Sequence, residues 1–90
     1  MDRLELPETG RVVHAGHGVV AANIWARAPL DDPQAPVALR AQIMVGEAPA
    51  EDVAEGAEVA IGDERWRVEE IVEDQANRRG HVTLTRVADR

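Results

Sequence analysis

Apolar residues recur at every second position along most of this chain, the repeat of an extended strand that sends successive side chains to opposite faces. The cleanest run is Val37, Leu39, Ala41, Ile43 and Val45, interleaved with Ala38, Arg40, Gln42 and Met44. Before it, the stretch Val19 to Ala28 places Val20, Ala22, Ile24, Ala26 and Ala28 on one side and Asn23, Trp25 and Arg27 on the other, and the two runs are expected to pair. The β-branched segment Arg11-Val12-Val13-His14-Ala15 predicts a strand ahead of them, turning at Gly16-His17-Gly18 where glycine permits positive φ. Further on, Val59 and Ile61 lead through Gly62-Asp63 to Trp66 and Val68, the arrangement of a tight hairpin. The adjacent pair Ile71-Val72 then breaks the alternation and predicts a bulge near Glu69-Glu70. A polar turn, Glu73 to Gly80, precedes a last strand whose Val82 and Leu84 are expected beneath Trp66 and Val68.

Two stretches stand outside the pattern. Residues 29–36 carry three prolines and the pair Asp31-Asp32, a composition that cannot continue a ladder and reads as an exposed loop. Pro49 to Glu55, followed by Gly56, fits one short helical turn, with proline first, acids in the opening turn and glycine last; it fits equally a short strand that turns at Glu55-Gly56. Residues 1–9 are expected to be a loose N-terminal segment. The fold class is therefore all-β: a single domain over residues 1–90, built as a small antiparallel barrel or sandwich of six or seven strands.

Composition narrows the chemistry. With 90 residues, two Trp and neither Phe nor Tyr, one core of mainly Val, Ala, Leu and Ile is all the chain can bury. No cysteine is present, so disulfides and thiolate metal sites are excluded. Ser, Lys and Tyr are also absent, which removes the commonest hydroxyl nucleophile, the Schiff-base amine and the phenolic acid. No apolar stretch has the length of a membrane-crossing helix, and the first residues lack the basic and apolar blocks of a secretory leader, so a cytoplasmic location is expected. The net charge of −7 repels phosphate backbones and anionic lipid, and argues against nucleic-acid or membrane partners.

Few residues remain that can carry chemistry. His14, His17 and His81 can meet at one metal only if the last strand runs beside the first hairpin; hydrogen-bonded histidines at strand ends are the commoner case, and no cofactor is expected. Adjacent carboxylates are frequent, but in a strand Glu69 and Glu70 point apart unless the bulge brings them together. Trp66, in phase with Val68, belongs to the core. Trp25 shares its side with Asn23 and Arg27, which suits a partly exposed ring stacked by arginine. With Arg40, Gln42 and Met44 on the adjoining strand, these residues form a candidate partner-binding face.

The stretch from Glu55 to Val68, with its Trp-containing hairpin, together with Gly80-His81-Val82-Thr83-Leu84-Thr85-Arg86-Val87, resembles small β-domain families of actinobacteria known only as domains of unknown function. The resemblance spans most of the chain from Arg11 onward and implies a stand-alone β domain without catalytic residues to carry over. The sequence thus favours a non-catalytic binding or accessory domain that acts through protein contacts, self-association first, at Trp25, Asn23, Arg27, Arg40 and Gln42. The alternative is a small-molecule or acid–base site in the barrel that uses histidine and carboxylate.

Overall fold

The computed structural model describes residues 2–88. Eight strands run through them: β1 (Arg3–Pro7), β2 (Arg11–His14), β3 (His17–Arg27), β4 (Ala38–Val45), β5 (Glu51–Ala54), β6 (Glu58–Ile61), β7 (Glu64–Val72) and β8 (His81–Arg86). They form two four-stranded sheets, ordered β1-β8-β7-β6 and β2-β3-β4-β5, whose neighbouring strands are all antiparallel. Neither sheet closes on itself. The architecture is a sandwich, and the barrel alternative is corrected by four open edges at β1, β6, β2 and β5. One apolar core fills the space between the sheets, and its largest fully buried side chains, among them Trp66, Leu6, Ile43 and Leu84, come from both. There is accordingly no barrel lumen to hold a small molecule.

One strand lies where a loose segment is expected, and another settles an open choice between helical turn and strand. Residues 3–7 of the N-terminal segment are not loose: β1 pairs with β8 from Arg3↔Thr85 to Pro7↔His81, and Leu4 and Leu6 are buried. Their alternation with Arg3 and Glu5 is a strand repeat cut short by Pro7, which an edge strand accommodates at its end. The helical turn between Pro49 and Glu55 is likewise absent. Glu51–Ala54 pairs with β4, and burial of Val53 in the core decides in favour of the extended form.

Two bulges set which residues face out. In β7 the register shifts between Val68 and Glu70, as the doubled Ile71-Val72 predicts. In β3 it shifts between Ala22 and Trp25, where Asn23 takes φ +54°, a left-handed conformation that asparagine tolerates better than most residues. Before this bulge Val19 and Ala21 face the core; after it Ile24 does. The expectation that Val20 and Ala22 share the face of Ile24 is therefore corrected: they lie half-buried on the other side, with Trp25. The turn before β3 also moves, to Ala15-Gly16, both at positive φ as a two-residue hairpin favours, so that His17 and Gly18 belong to the strand. Val37, expected to open β4 facing inward, precedes it and is exposed, as are residues 30–34 of the proline-rich loop.

Candidate functional site

The outer face of β2-β3-β4-β5 collects the side chains that alternate with the core-facing ones. Across the strands, Ala22 lies opposite Gln42 and Gln42 opposite Asp52, while Trp25 lies opposite Arg40. Asn23, Arg27, Arg40 and Gln42 meet there, around a fifth polar residue, Asp52. Arg27 Nη2 donates to Asp52 Oδ1 at 2.6 Å and Arg40 Nε donates to Oδ2 at 2.8 Å. Arg40 also donates to the Asp52 carbonyl, and the Leu30 amide to Oδ2, which ties the proline-rich loop to the face. Both guanidinium groups and the carboxylate are largely covered, so these are charge-assisted bonds shielded from water.

Burial pushes the Asp52 carboxyl upward, but the hydrogen bonds from Arg40 and Arg27 outweigh it, and the group sits below its ordinary value of 3.8. Arg27 makes two more bonds, donating to the backbone carbonyls of Asn23 and Trp25, and its guanidinium carbon lies 4.8 Å from the centroid of the Trp25 ring. The cation is thereby locked against the indole it stacks on. Asn23 Nδ2 donates to Gln42 Oε1 and spans the bulge. The outcome is a rigid aromatic–guanidinium shelf with Trp25 46% exposed, and Leu30, whose amide bonds to Asp52, is exposed as well. Leu30, Asp31, Arg40, Ala50, Glu51 and Asp52 line an open cavity of about 410 Å³ at its margin.

The histidines divide. His14 and His17 lie directly opposite one another across β2 and β3. His14 packs edge-on against Trp66 with centroids 5.1 Å apart, and its Nε2 pairs with Glu64 Oε1 at 2.7 Å. Glu64 also accepts from Trp66 Nε1 and lies 3.6 Å from Arg86, so its carboxyl falls below the ordinary 4.5, chiefly through the His14 bond. The cluster joins the edge strand of one sheet to β7 and β8 of the other. His81 belongs elsewhere: it pairs with Val72, at the far end of β7 from Glu64, and β7 at nine residues spans roughly 25 Å. The three-histidine metal site is thus corrected by topology, and among the described residues no group of three His, Asp or Glu side chains can hold a metal ion.

Asp52 carries no signal of its own while Pro49 to Glu55 fits a helical turn and a short strand equally. Once β5 is extended, the signal is visible: an acid in a strand whose neighbour carries Arg40 two places from the register partner Gln42. Glu69 and Glu70 both line one cavity on the outer face of the other sheet, beside the bulge in β7.

Two open, four-stranded antiparallel sheets around one core, with an aspartate-braced tryptophan and arginine pair on an outer face, define a small β-sandwich domain that presents a preformed surface. A family model matches residues 1–88, and the chain belongs to that family, DUF6406, a family of unknown function. No curated protein and no solved structure matches it. Among the described residues no helix is long and apolar enough to cross a membrane.

Proposed function

We propose that this domain is a non-catalytic binding module that acts through protein contacts at the outer face of β2-β3-β4-β5, with a second copy of the chain as its first partner. The observation that carries the reading is the half-exposed Trp25, held on Arg27 by a hydrogen-bond network instead of being tucked into the core. A rigid indole with its cation already fixed loses little freedom on binding, and Trp and Arg are the residues enriched at the centres of protein interfaces. Leu30, tied through its amide to Asp52, is exposed too and adds apolar area to the face. Asp52 offsets part of the charge of Arg27 and Arg40, so the face carries no basic stripe for nucleic acid and little repulsion against a like face.

Sedimentation velocity over a concentration series tests the reading. Self-association that strengthens with concentration, accompanied by a blue shift of Trp25 emission and lost in Trp25→Ala with an unchanged circular dichroism spectrum, is the expected result. A strict monomer at high concentration with fully solvated Trp25 emission would remove self-association. Because Trp66 is fully buried, the difference between wild-type and Trp25→Ala emission isolates the relevant ring.

A further inference from the structure

We infer that the outer face of β1-β8-β7-β6 holds a binding site for a small organic cation, an ammonium or guanidinium group, in a cavity of about 520 Å³ lined by Arg3, Glu55, Glu69, Glu70, Thr83 and Thr85. The site lies on the opposite sheet from the Trp25 face, and the two readings stand or fall separately.

Thr83 alternates with Val82 and Leu84, which fill the core, so its side chain points outward, toward the cavity. It is nonetheless only 2% exposed, and its Oγ1 has no hydrogen-bond partner. A sealed, unpaired hydroxyl is uncommon in a folded protein because its lost hydration is not replaced. Three carboxylate arms line the cavity. Glu55 reaches from the β5–β6 turn to accept from the Ile71 amide at 3.0 Å, and Glu69 accepts from Thr85 Oγ1 at 3.1 Å. Both are anchored. Glu70 is exposed, and among the described residues its carboxylate has neither a hydrogen bond nor an ion pair, so it is the arm free to move.

The site therefore offers an acceptor oxygen without a donor and a carboxylate without a counter-ion, and a positively charged N–H donor supplies both. A bare metal ion does not match, since among the described residues no group of three or more acidic or histidine side chains is placed to hold one. An ammonium has three donors and a guanidinium five, spread over a larger group, and these suit separated acceptors. The net charge of −7 draws cations toward the molecule. Arg3, on the rim, is the one like charge lining the cavity and weakens the site.

The test is a titration of the full chain, followed by amide chemical shifts, with putrescine, methylguanidinium and Nα-acetyl-lysine amide as probes, against sodium and magnesium chloride at matched ionic strength. Saturable shifts at Glu70, Ile71 and Thr83 with an organic probe, absent with the salts, are expected. A preference for putrescine identifies a free amine as the source, and a preference for the lysine amide identifies a side chain of another polypeptide. Thr83→Val should bind at least tenfold more weakly and Glu70→Gln at least fivefold, while Arg3→Ala binds more tightly. Thr83→Val without ligand should be as stable as wild type or more so, because it removes an unpaired hydroxyl. Shifts reproduced by the salts, unchanged binding by Thr83→Val, or a less stable Thr83→Val protein would each overturn the inference.

Discussion

The two tryptophans of this domain have the same side chain and opposite roles. Trp66, on β7, is fully buried, gives its Nε1–H to Glu64 and packs against His14, so that it joins the two sheets. Trp25, on β3, is nearly half exposed and is backed by Arg27. Hydrophobicity alone would send both indoles inside. Strand phase decides otherwise: the bulge at Asn23 hands the inward position to Ile24 and leaves Trp25 outside, where Asp52 fixes the arginine that holds it. In a chain with no other aromatic residue, half of the aromatic content is therefore spent on a surface. The sharpest way to break the comparison is to truncate each ring. Trp66→Ala should cost about 3–5 kcal/mol, through lost transfer energy and the cavity left behind. Trp25→Ala should cost no more than about 1 kcal/mol, the worth of an exposed cation–π contact. Urea unfolding monitored by circular dichroism reads both, and losses of similar size would mean that Trp25 is a second core residue.

Next in size is the brace. Removing the Asp52 carboxylate in Asp52→Ala leaves Arg27 and Arg40 covered and short of a partner, and should destabilise by about 1–3 kcal/mol. It should also free Arg27 from the ring, which a change in Trp25 emission in the native baseline would report. A loss below 0.5 kcal/mol, the range of an ordinary surface change, would reduce the network to solvated surface charge.

Asp52 and Glu64 also predict a pH dependence with a definite sign. Both have folded-state pKa values below their ordinary 3.8 and 4.5. A depressed carboxyl contributes stability that is fully present above the unfolded value and is lost as pH falls through the folded one. Neither group therefore adds slope well above pH 4.5, and both weaken the fold in more acid solution. Asp52→Asn and Glu64→Gln should each flatten the acid limb of the stability curve, because each removes one carboxyl that the fold holds below its ordinary value. Unfolding free energies measured from pH 6 down to pH 2 would check this, and an acid limb unchanged in both variants would contradict it.

Period-two patterning was enough to place the class of fold, the β3–β4 pairing, the Gly62-Asp63 hairpin and the β7 bulge, because each follows from residues adjacent in sequence. It also brought Trp25, Asn23, Arg27, Arg40 and Gln42 onto one face, since i and i+2 positions and register partners are local facts. Three things were not legible. Strand β1 has no turn signal pairing it to a neighbour in sequence, and its burial depends on β8, nearly eighty positions away along the chain. Asp52 became a hub only because Val53 docks in the core and fixes β5 as extended, a tertiary preference that overrides the local helix-like signals. The face of Val20 and Ala22 inverted because nothing in a run of Val, Ala and Asn marks where a strand will bulge.

That bulge is itself the most delicate point of comparison, because it alone separates the Trp25 side of β3 from the core side. Asn23 pays for a left-handed backbone and recovers part of the cost by donating to Gln42. Replacing it with alanine keeps the strained φ and loses the bond, for about 1 kcal/mol in total. Replacing it with glycine also loses the bond but relieves the strain, so Asn23→Gly should retain most of the wild-type stability. The difference between the two variants in chemical denaturation therefore reads the backbone, and the loss shared by both reads the Gln42 contact. Equal stabilities for alanine and glycine would place Asn23 in ordinary extended geometry, and with an unbroken alternation Trp25 would follow Val19 and Ala21 to the inside.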